Sequence, residues 1–360
     1  MTPFFVAIFL LGVSSLATGV NFTQVFEWPE AWDYEWPSEE SRAQALRDGT
    51  FKPEEFNPRH MAVYGTRIFI SLSKEFGDVP VTLVTLPTSS ASSAPPKLTP
   101  FPSWDMHLNG SENCDKIQTA VGLQVDSVGR LWLLDEGNET CNCSAKLWIF
   151  DLNNNTTELI HRFPFHFYIH DLVIDETANG TFAYIARWMV SHFVVFSLER
   201  KQSWFVDTSG IDVSSIALSP KDQEPRQLYI GELHSNQLHS ISVTVLRNGT
   251  RTAKPKLIGN WSGQSAYRMV MDNHGTLHAA FMFENFMSAW NTSHSFQEQR
   301  FYQLAALKSA WPFIFSLDQN GTFWMTVFDD SRIPRSWKYN AAVDAKSYIF
   351  PRLLRYVSQG

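Results

Sequence analysis

A short pattern of residues occurs six times along this chain of 360 residues. In each copy an apolar strand ends near an acidic or turn residue, a glycine-containing or polar turn follows, and a second apolar or aromatic strand begins. The copies are Ala62–Leu72, Gly122–Leu134, Asp171–Ala186, Ile216–Gly231, Arg268–Phe281 and Phe315–Val327. They recur about every 45–65 residues, a period typical of β-propeller blades. We therefore predict an all-β, six-bladed β-propeller with four-stranded antiparallel blades, formed by residues 20–360 as a single domain.

A propeller needs a closed ring, because an open ring leaves two unpaired strand edges. We predict that the N- and C-terminal segments pair within one blade. In this arrangement part of Gln24–Trp36 lies against strands between about Phe323 and Phe350. The strands of such a fold are scaffold, and ligands meet the loops around the central channel.

Composition and charge exclude several classes of protein. The chain is 44% hydrophobic and 18% charged, unlike a disordered sequence. Its formal net charge is -7 and it has no cluster of Lys or Arg, so neither nucleic acid nor a membrane surface is an expected partner. The first residues, MTPFFVAIFLLGVSSLATG, read as a secretory signal peptide over residues 1–19, against the alternative of a buried N-terminal strand or helix. We expect a secreted, extracellular protein without membrane insertion.

Eleven Asn-x-Ser/Thr sequons agree with secretion. They are Asn21, Asn109, Asn138, Asn142, Asn154, Asn155, Asn179, Asn248, Asn260, Asn291 and Asn320.

Three cysteines are present, and Cys141 and Cys143 are too close for an unstrained mutual bridge. A disulfide between Cys114 and either Cys143 or Cys141 is expected, which leaves one odd thiol. The alternative, a Cys-x-Cys metal site, lacks nearby histidines, and we predict no metal or cofactor.

Four acidic residues of the repeats lie just before their turns: Asp126, Asp175, Asp272 and Asp318. An aspartate in this position can accept hydrogen bonds from the backbone of its own turn, so we interpret these residues as structural rather than metal-binding. Trp132 and Trp324 begin the second strand of their copies and are expected to fill the core between blades.

The sequence contains no G-x-S-x-G, P-loop, G-x-G-x-x-G or H-E-x-x-H motif. The segment HFYIHD is the most suggestive polar cluster, because His166, Tyr168 and His170 would share one face of an extended strand. That face could line the channel, and His170 with Asp171 could transfer protons; the alternative is a polar strand edge. The last two copies are rich in aromatic residues, most of which are expected in the core. A few near strand starts could wall an apolar pocket in the channel for a small aromatic ligand.

Several segments resemble the major royal jelly protein/Yellow family of secreted, mainly arthropod proteins. They include FEWPEAWDYEWPSEESRAQALRDGTFKPEEFNP near the N-terminus, GLQVDSVGRLWLLDEG with KLWIFDL, and GTFWMTV near the C-terminus. The resemblance covers about residues 22–350 and implies a six-bladed propeller. It also implies extracellular roles in cuticle pigmentation and the melanin pathway, in nutritive secretion, or in salivary capture of biogenic amines.

The chain departs from this family at specific positions. The family commonly has cysteines at the positions of Val128 and near Asn179, so its usual two disulfides cannot form here. Amine-binding members carry polar anchors where Phe313 and Phe328 stand. A pocket at this site would therefore be more apolar, and a buried ammonium group would lack the acceptors it needs.

These observations favour a Yellow-type, non-enzymatic protein that binds a small molecule at the channel face, with His170, Asp171, Phe313 and Phe328 as pocket candidates and no assigned catalytic residue. One alternative is a melanin-pathway enzyme that converts dopachrome. A metal-dependent lactonase rests on analogy with other propellers alone. A third possibility is a structural or nutritive glycoprotein without a ligand. The sequence leaves the oligomeric state open.

Overall fold

The computed structural model describes residues 20, 22–28, 31–53, 56, 58–73, 79–90, 94–107, 113–138, 141–304, 312–328 and 351–357. The predicted signal peptide, Asn21 and Asn109 lie outside these residues.

The described chain forms six four-stranded antiparallel sheets. Blade 1 contains β2 (Pro58–Tyr64), β3 (Arg67–Leu72), β4 (Leu83–Pro87) and β5 (Thr99–Pro100). Blade 2 contains β6 (Ala120–Val125), β7 (Arg130–Asp135), β8 (Lys146–Asp151) and β9 (Thr156–Arg162). Blade 3 contains β10 (Ile169–Thr177), β11 (Gly180–Arg187), β12 (His192–Ser197) and β13 (Gln202–Asp207).

The remaining blades follow the same plan. Blade 4 contains β14 (Val213–Leu218), β15 (Gln227–Glu232), β16 (Gln237–Ser242) and β17 (Lys256–Asn260). Blade 5 contains β18 (Ala266–Met271), β19 (Thr276–Phe281), β20 (Phe286–Asn291) and β21 (Gln299–Gln303). Blade 6 contains β22 (Phe313–Leu317), β23 (Phe323–Phe328), β24 (Pro351–Tyr356) and β1 (Thr23–Glu27).

The first strand of each blade lies innermost, because these strands contact their counterparts in the neighbouring blades. Each of the six sequence copies corresponds to the first two strands of one blade and the turn between them. The prediction of an all-β, six-bladed propeller is therefore confirmed, and the repeat marks the part of each blade nearest the channel.

Blade 6 closes the ring with strands from both ends of the chain. Its strand order is β1-β24-β23-β22, and β1 pairs antiparallel with β24. Phe26 and Trp28 are buried on this side and belong to the core shared with blade 1. Closure by terminal pairing is confirmed, although the C-terminal partner begins at Pro351, just beyond the predicted range.

Two helices of the described residues lie outside the blade strands. α1 (Glu39–Asp48) begins after Ser38, whose Oγ accepts the N–H of Ser41 at 3.1 Å, and it ends at Gly49 in the left-handed conformation. α2 (Val243–Arg247) and a 3-10 turn at Trp104–Met106 are shorter. In the described chain, neither helix has the length and apolar character needed to cross a membrane.

Three of the four repeat aspartates cap their own turns as predicted. Asp126 accepts the N–H groups of Val128 and Arg130, and Asp272 and Asp318 make the equivalent bonds in blades 5 and 6. Trp132 and Trp324 are buried between blades, which confirms their predicted place in the core.

Asp175 differs from the other three, and the prediction that it caps its own turn is wrong. The β10–β11 hairpin extends two residues beyond Asp175, so that Thr177 pairs with Gly180 and Asp175 lies within a strand instead of at the turn. Its carboxylate therefore accepts bonds from Tyr184, Arg226 and Arg247. It is fully buried and ties blade 3 to blade 4. Its role is still structural.

Candidate functional site in the central channel

The inner strands begin at one end of the channel, and five of the six have an irregular register there. The shifts fall between Pro58 and His60, Ala120 and Leu123, Ile169 and Leu172, Val213 and Ser215, and Ala266 and Arg268. Such bulges re-aim side chains and recur beside functional sites. Here they bring His60, His170, Asp171 and Arg268 together; we call these four residues the channel cluster.

The channel cluster joins blades that are not neighbours. Arg268 Nη1 of blade 5 donates to Asp171 Oδ1 of blade 3, and His60 Nε2 of blade 1 lies 3.6 Å from the same oxygen. Neighbouring inner strands meet side by side, whereas these contacts connect alternate blades, so they must pass across the channel axis. All four residues are buried.

Asp171 is the charged centre of the cluster. Its carboxylate also accepts the N–H of Leu172 at 3.0 Å and of Ile216 at 3.3 Å. Burial alone would raise the pKa of Asp171, but Arg268 and His60 stabilise the carboxylate and lower the pKa to about 2. Asp171 is therefore ionised at neutral pH.

The two histidines lie side by side, with ring centroids 4.8 Å apart. His170 Nε2 lies 3.1 Å from the carbonyl oxygen of Tyr267, and the half-buried ring of Trp188 lies 4.0 Å from the His170 ring. Burial, reinforced by Arg268, lowers the pKa of His60 to about 4. Burial and the neighbouring His60 also lower the pKa of His170. Both imidazoles are thus neutral at pH 7.

Buried donors of the cluster lack partners among the residues that the structure describes. Arg268 Nε and both ring nitrogens of His60 make no hydrogen bond there. A buried polar group without a partner costs free energy comparable to a lost hydrogen bond. Because the His60 imidazole is neutral, one of its nitrogens donates and the other accepts. An oxygen atom supplied from outside the described chain could accept from Arg268 Nε–H and from the single His60 N–H.

Stability should fall as the pH is lowered from about 6.5 to 4. The folded pKa of His60 is below its ordinary value of 6.5, so the unfolded chain binds the proton more readily and stability present above pH 6.5 is lost towards the folded pKa of about 4. The expected loss from His60 is about 1.4 kcal/mol per pH unit and about 3 kcal/mol over the interval. His170 acts in the same direction, while Asp171 holds its charge until lower pH.

Chemical denaturation at a series of pH values measures this dependence. His60→Gln removes one titrating group and should flatten the slope whatever its effect on absolute stability. His294→Gln, at an exposed position, serves as the control and should leave the slope unchanged. An equal slope in wild type and His60→Gln would contradict the assignment.

The structure corrects the prediction for the HFYIHD segment. Phe167 and Tyr168 have positive φ angles of 53° and 65°, so the chain turns just before β10 instead of being extended. Tyr168 is therefore 45% exposed, while His170 is buried in the channel, and His166, Tyr168 and His170 do not share one face. Two consecutive left-handed residues are an arrangement that strand alternation does not predict.

Phe313 and Phe328, the other two predicted pocket residues, lie in blade 6. The Phe313 backbone is held by Tyr267, whose hydroxyl donates to the carbonyl at 2.7 Å and accepts the N–H at 3.0 Å. The Phe313 ring is fully buried in the core between blades 5 and 6. The Phe328 backbone pairs with Pro351, and its side chain lies outside the described part of the structure. A ligand role for either residue stays a prediction.

Sequence reasoning missed His60, Arg268, Tyr267 and Trp188. Arg268 was the first residue of a repeat copy and His60 lay two residues before another. The available signal was a polar residue at the start of an inner strand, recurring in several blades.

The cysteines lie in blade 2, in the loop before β6 and in the loop between β7 and β8. Cys114 is bonded to Cys143, so the structure selects one of the two pairings that the sequence left open. Cys141 is free and half-buried, with its Sγ atom 3.1 Å from that of Cys143. Within the described residues, this trio is the group of candidate metal ligands close enough to share an ion. Two of the sulfurs are oxidised, so they cannot supply the thiolates a metal needs.

The sequons within the described residues lie on the surface. Asn138 is half-buried, and the remaining described sequon asparagines are exposed. Glycans at these positions would face solvent, and their attachment stays a prediction.

Six blades around a channel with a buried Asp–Arg–His cluster define a six-bladed β-propeller with a polar channel. Solved structures share this fold. A gluconolactonase from Xanthomonas campestris aligns with a TM-score of 0.53 and 11% identity over 94% of this chain and 98% of that chain. A luciferin-regenerating enzyme aligns with a TM-score of 0.50 and 12% identity over 84% and 92%. At this level of identity the likeness concerns the fold alone.

The family is given by the sequence comparison. The model of the major royal jelly protein family matches residues 118–215 and 205–326, and the chain belongs to this family. Protein yellow of Drosophila guanche is 28% identical over 264 residues, which are 63% of this chain and 46% of that protein. Protein yellow of Drosophila madeirensis is 26% identical over 276 residues, or 67% and 48%. The chain thus spans about half the length of the curated relatives it matches.

Proposed function

We propose that this protein is a secreted, non-enzymatic member of the family that binds a small aromatic molecule at the end of the channel formed by the channel cluster. The observation that carries the proposal is a pair of buried N–H donors without partners, Arg268 Nε and one ring nitrogen of the neutral His60. They lie in one cluster with His170, whose ring contacts the half-buried ring of Trp188. A pigmentation or cuticle-associated role follows from the family resemblance.

The charges favour a ligand that offers an acceptor oxygen over an amine. Asp171 is the acidic member of the channel cluster, and Arg268 already neutralises it. A primary ammonium group would therefore lose its hydration without gaining a carboxylate there. A carboxylate, carbonyl or phenol oxygen could instead accept from the buried donors.

Calorimetric titration with two ligands that share one ring tests this proposal. We expect indole-3-acetate to bind at least tenfold more tightly than tryptamine. Serotonin, dopamine and histamine should bind as weakly as tryptamine. Trp188→Leu should weaken the binding, whereas Leu257→Ala, at an exposed position on an outer strand, should not. The proposal fails if no compound gives saturable heat or if the amines bind more tightly.

An enzymatic role is the second candidate, and the neutral imidazole pair favours it. His60 and His170 lie beside an ionised carboxylate and could exchange protons with a substrate such as dopachrome. A pKa of about 4 makes His60 a weak base at neutral pH, so we rank this role second. Dopachrome decay at the spontaneous rate in the presence of purified protein would exclude it. If both tests fail, a structural or nutritive glycoprotein remains.

A further inference from the structure

The second strand of every blade contains a position that pairs with the equivalent residue of the inner strand. It pairs with the inner-strand residue that lies two places before the start of the turn, which is Asp126 in blade 2 and Asp318 in blade 6. The pairs in these two blades are Gln124–Trp132 and Ser316–Trp324. We call it the wedge position. In blades 1 to 6 it is occupied by Phe69, Trp132, Tyr184, Tyr229, His278 and Trp324.

Each wedge residue packs towards the next blade. Phe69 belongs to a core cluster with blade 2, Trp132 to one with blade 3, and Trp324 to one with blade 1. Because sheets that radiate from an axis diverge, a large ring is suited to the widening gap between them. Five blades use a large aromatic ring here, and blade 5 uses the smaller imidazole of His278.

His278 keeps the hydrogen bond of the wedge tryptophans but fills less space. The indole N–H groups of Trp132 and Trp324 donate to Asp126 and Asp318 at 2.9 and 3.0 Å. His278 Nε2 lies 3.2 Å from Asp272 Oδ2, the equivalent carboxylate. Blade 5 therefore has the same polar contact as blades 2 and 6. The imidazole ring is smaller than an indole, so part of the space that an indole would fill is left empty.

A pocket of about 440 Å³ lies between blades 5 and 6 at this point. It is partly open to solvent, and its wall includes the rings of Phe301, Phe323 and Tyr356 next to His278. The His278 ring centroid is 4.4 Å from that of Phe301 and 5.1 Å from that of Phe323. An apolar floor of aromatic rings therefore faces the space that the other wedge residues fill with their own side chains.

The rim of the pocket is polar. Asp272, Gln299 and Asn320 contribute oxygen atoms or amide groups to the wall. Burial raises the pKa of Asp272, but bonds from His278 and the Thr276 N–H lower it overall, so the carboxylate is ionised at neutral pH. Such a rim suits a ligand that donates an N–H or O–H, and it disfavours an anion.

We propose that this blade 5–6 pocket binds a small, flat aromatic molecule with one N–H or O–H donor, such as an indole or a phenol. The other blades provide the argument for this occupant, because they place indole, phenol or phenyl rings at the same position. The site lies at the turns between first and second strands, whereas the channel cluster lies at the opposite ends of the inner strands. The proposal is thus independent of the channel ligand.

Side-chain analogues of the missing ring test the proposal. The probes are 3-methylindole and 4-methylphenol, with 4-methylimidazole as the comparison, measured by isothermal titration calorimetry on the full mature chain. We expect 3-methylindole and 4-methylphenol to bind with sub-millimolar dissociation constants and 4-methylimidazole at least tenfold more weakly. A crystal soaked with 5-bromoindole should show its bromine in this pocket, in contact with the rings that line it.

Two filling variants locate the binding. His278→Trp should occupy the pocket, remove one binding site for 3-methylindole and raise the melting temperature. Ala289→Leu, at the residue paired with His278 and lining the pocket, is a second filling variant should the tryptophan disturb folding. His294→Trp makes the same substitution at an exposed position of blade 5 and should leave binding unchanged. Unchanged binding in both filling variants, or no saturable binding to the wild type, would overturn the proposal.

Discussion

Replacing Asp171 by asparagine is expected to lower the free energy of unfolding by about 3–5 kcal/mol, because it leaves a buried guanidinium without its counter-charge. Arg268 is fully surrounded in the channel, and Asp171 is its partner in the described structure. The amide keeps the shape of the carboxylate, so the loss reports charge more than packing. Denaturant unfolding at pH 7 measures it.

Two controls separate this effect from a general consequence of losing a carboxylate. Asp115→Asn breaks an exposed pair with Arg162 and should cost less than about 1 kcal/mol. The double variant Asp171→Asn, Arg268→Met removes both charges and should recover part of the stability, since a buried pair is often replaceable by apolar residues. An Asp171→Asn protein as stable as Asp115→Asn would show that the cluster is not held by this charge pair.

Deleting β1 is expected to unfold the protein or make it aggregate. The deletion of residues up to Trp28 removes the fourth strand of blade 6 and two buried aromatic side chains, Phe26 and Trp28. Burial of each large side chain contributes about 1.5–3 kcal/mol, and the exposed edge of β24 would offer unpaired backbone groups to other chains. The two side chains together account for about 3–6 kcal/mol. This is already comparable to the lower end of the stability of a typical domain, about 5–15 kcal/mol, before the lost strand pairing is included.

Single substitutions in β1 test the same prediction with smaller expected losses of stability. Phe26→Ala should cost about 3–5 kcal/mol, the usual range for removing a buried aromatic ring. Glu27→Ala, which removes an exposed contact with Arg352, should cost less than about 1 kcal/mol. Thermal unfolding of the purified proteins gives the comparison. A truncated protein with the wild-type melting temperature would mean that β1 does not close the ring.

Much of the architecture follows from local sequence. The first two strands of each blade form a hairpin, and the residues that specify it are contiguous in sequence, as in Phe315–Val327. The number of blades could therefore be counted from the sequence. The helix after Ser38 and the turn-capping roles of Asp126, Asp272 and Asp318 depend on neighbours within a few residues. The strands of blade 3 continue two residues beyond Asp175 before they turn, and there the prediction from local sequence was wrong.

The channel cluster could be predicted only in part. His170 and Asp171 were identified because they are adjacent and polar. Three of the residues they contact, His60, Tyr267 and Arg268, are 97 or more residues away along the chain. Bulges decide which residues at the start of an inner strand point into the channel, and alternation patterns do not reveal a bulge.

The sequence by itself determined the all-β class, the six repeated hairpins, and the residue types at each position of the repeat. The tertiary structure decided which of these residues meet. It brought Asp171 into contact with Arg268 across the channel axis and paired Cys114 with Cys143. It also showed that His278, one of eleven histidines, occupies a position where the other five blades have a larger aromatic ring. The reason is that hairpins form from contacts close in sequence, whereas a channel and the gaps between blades exist only once the ring has closed.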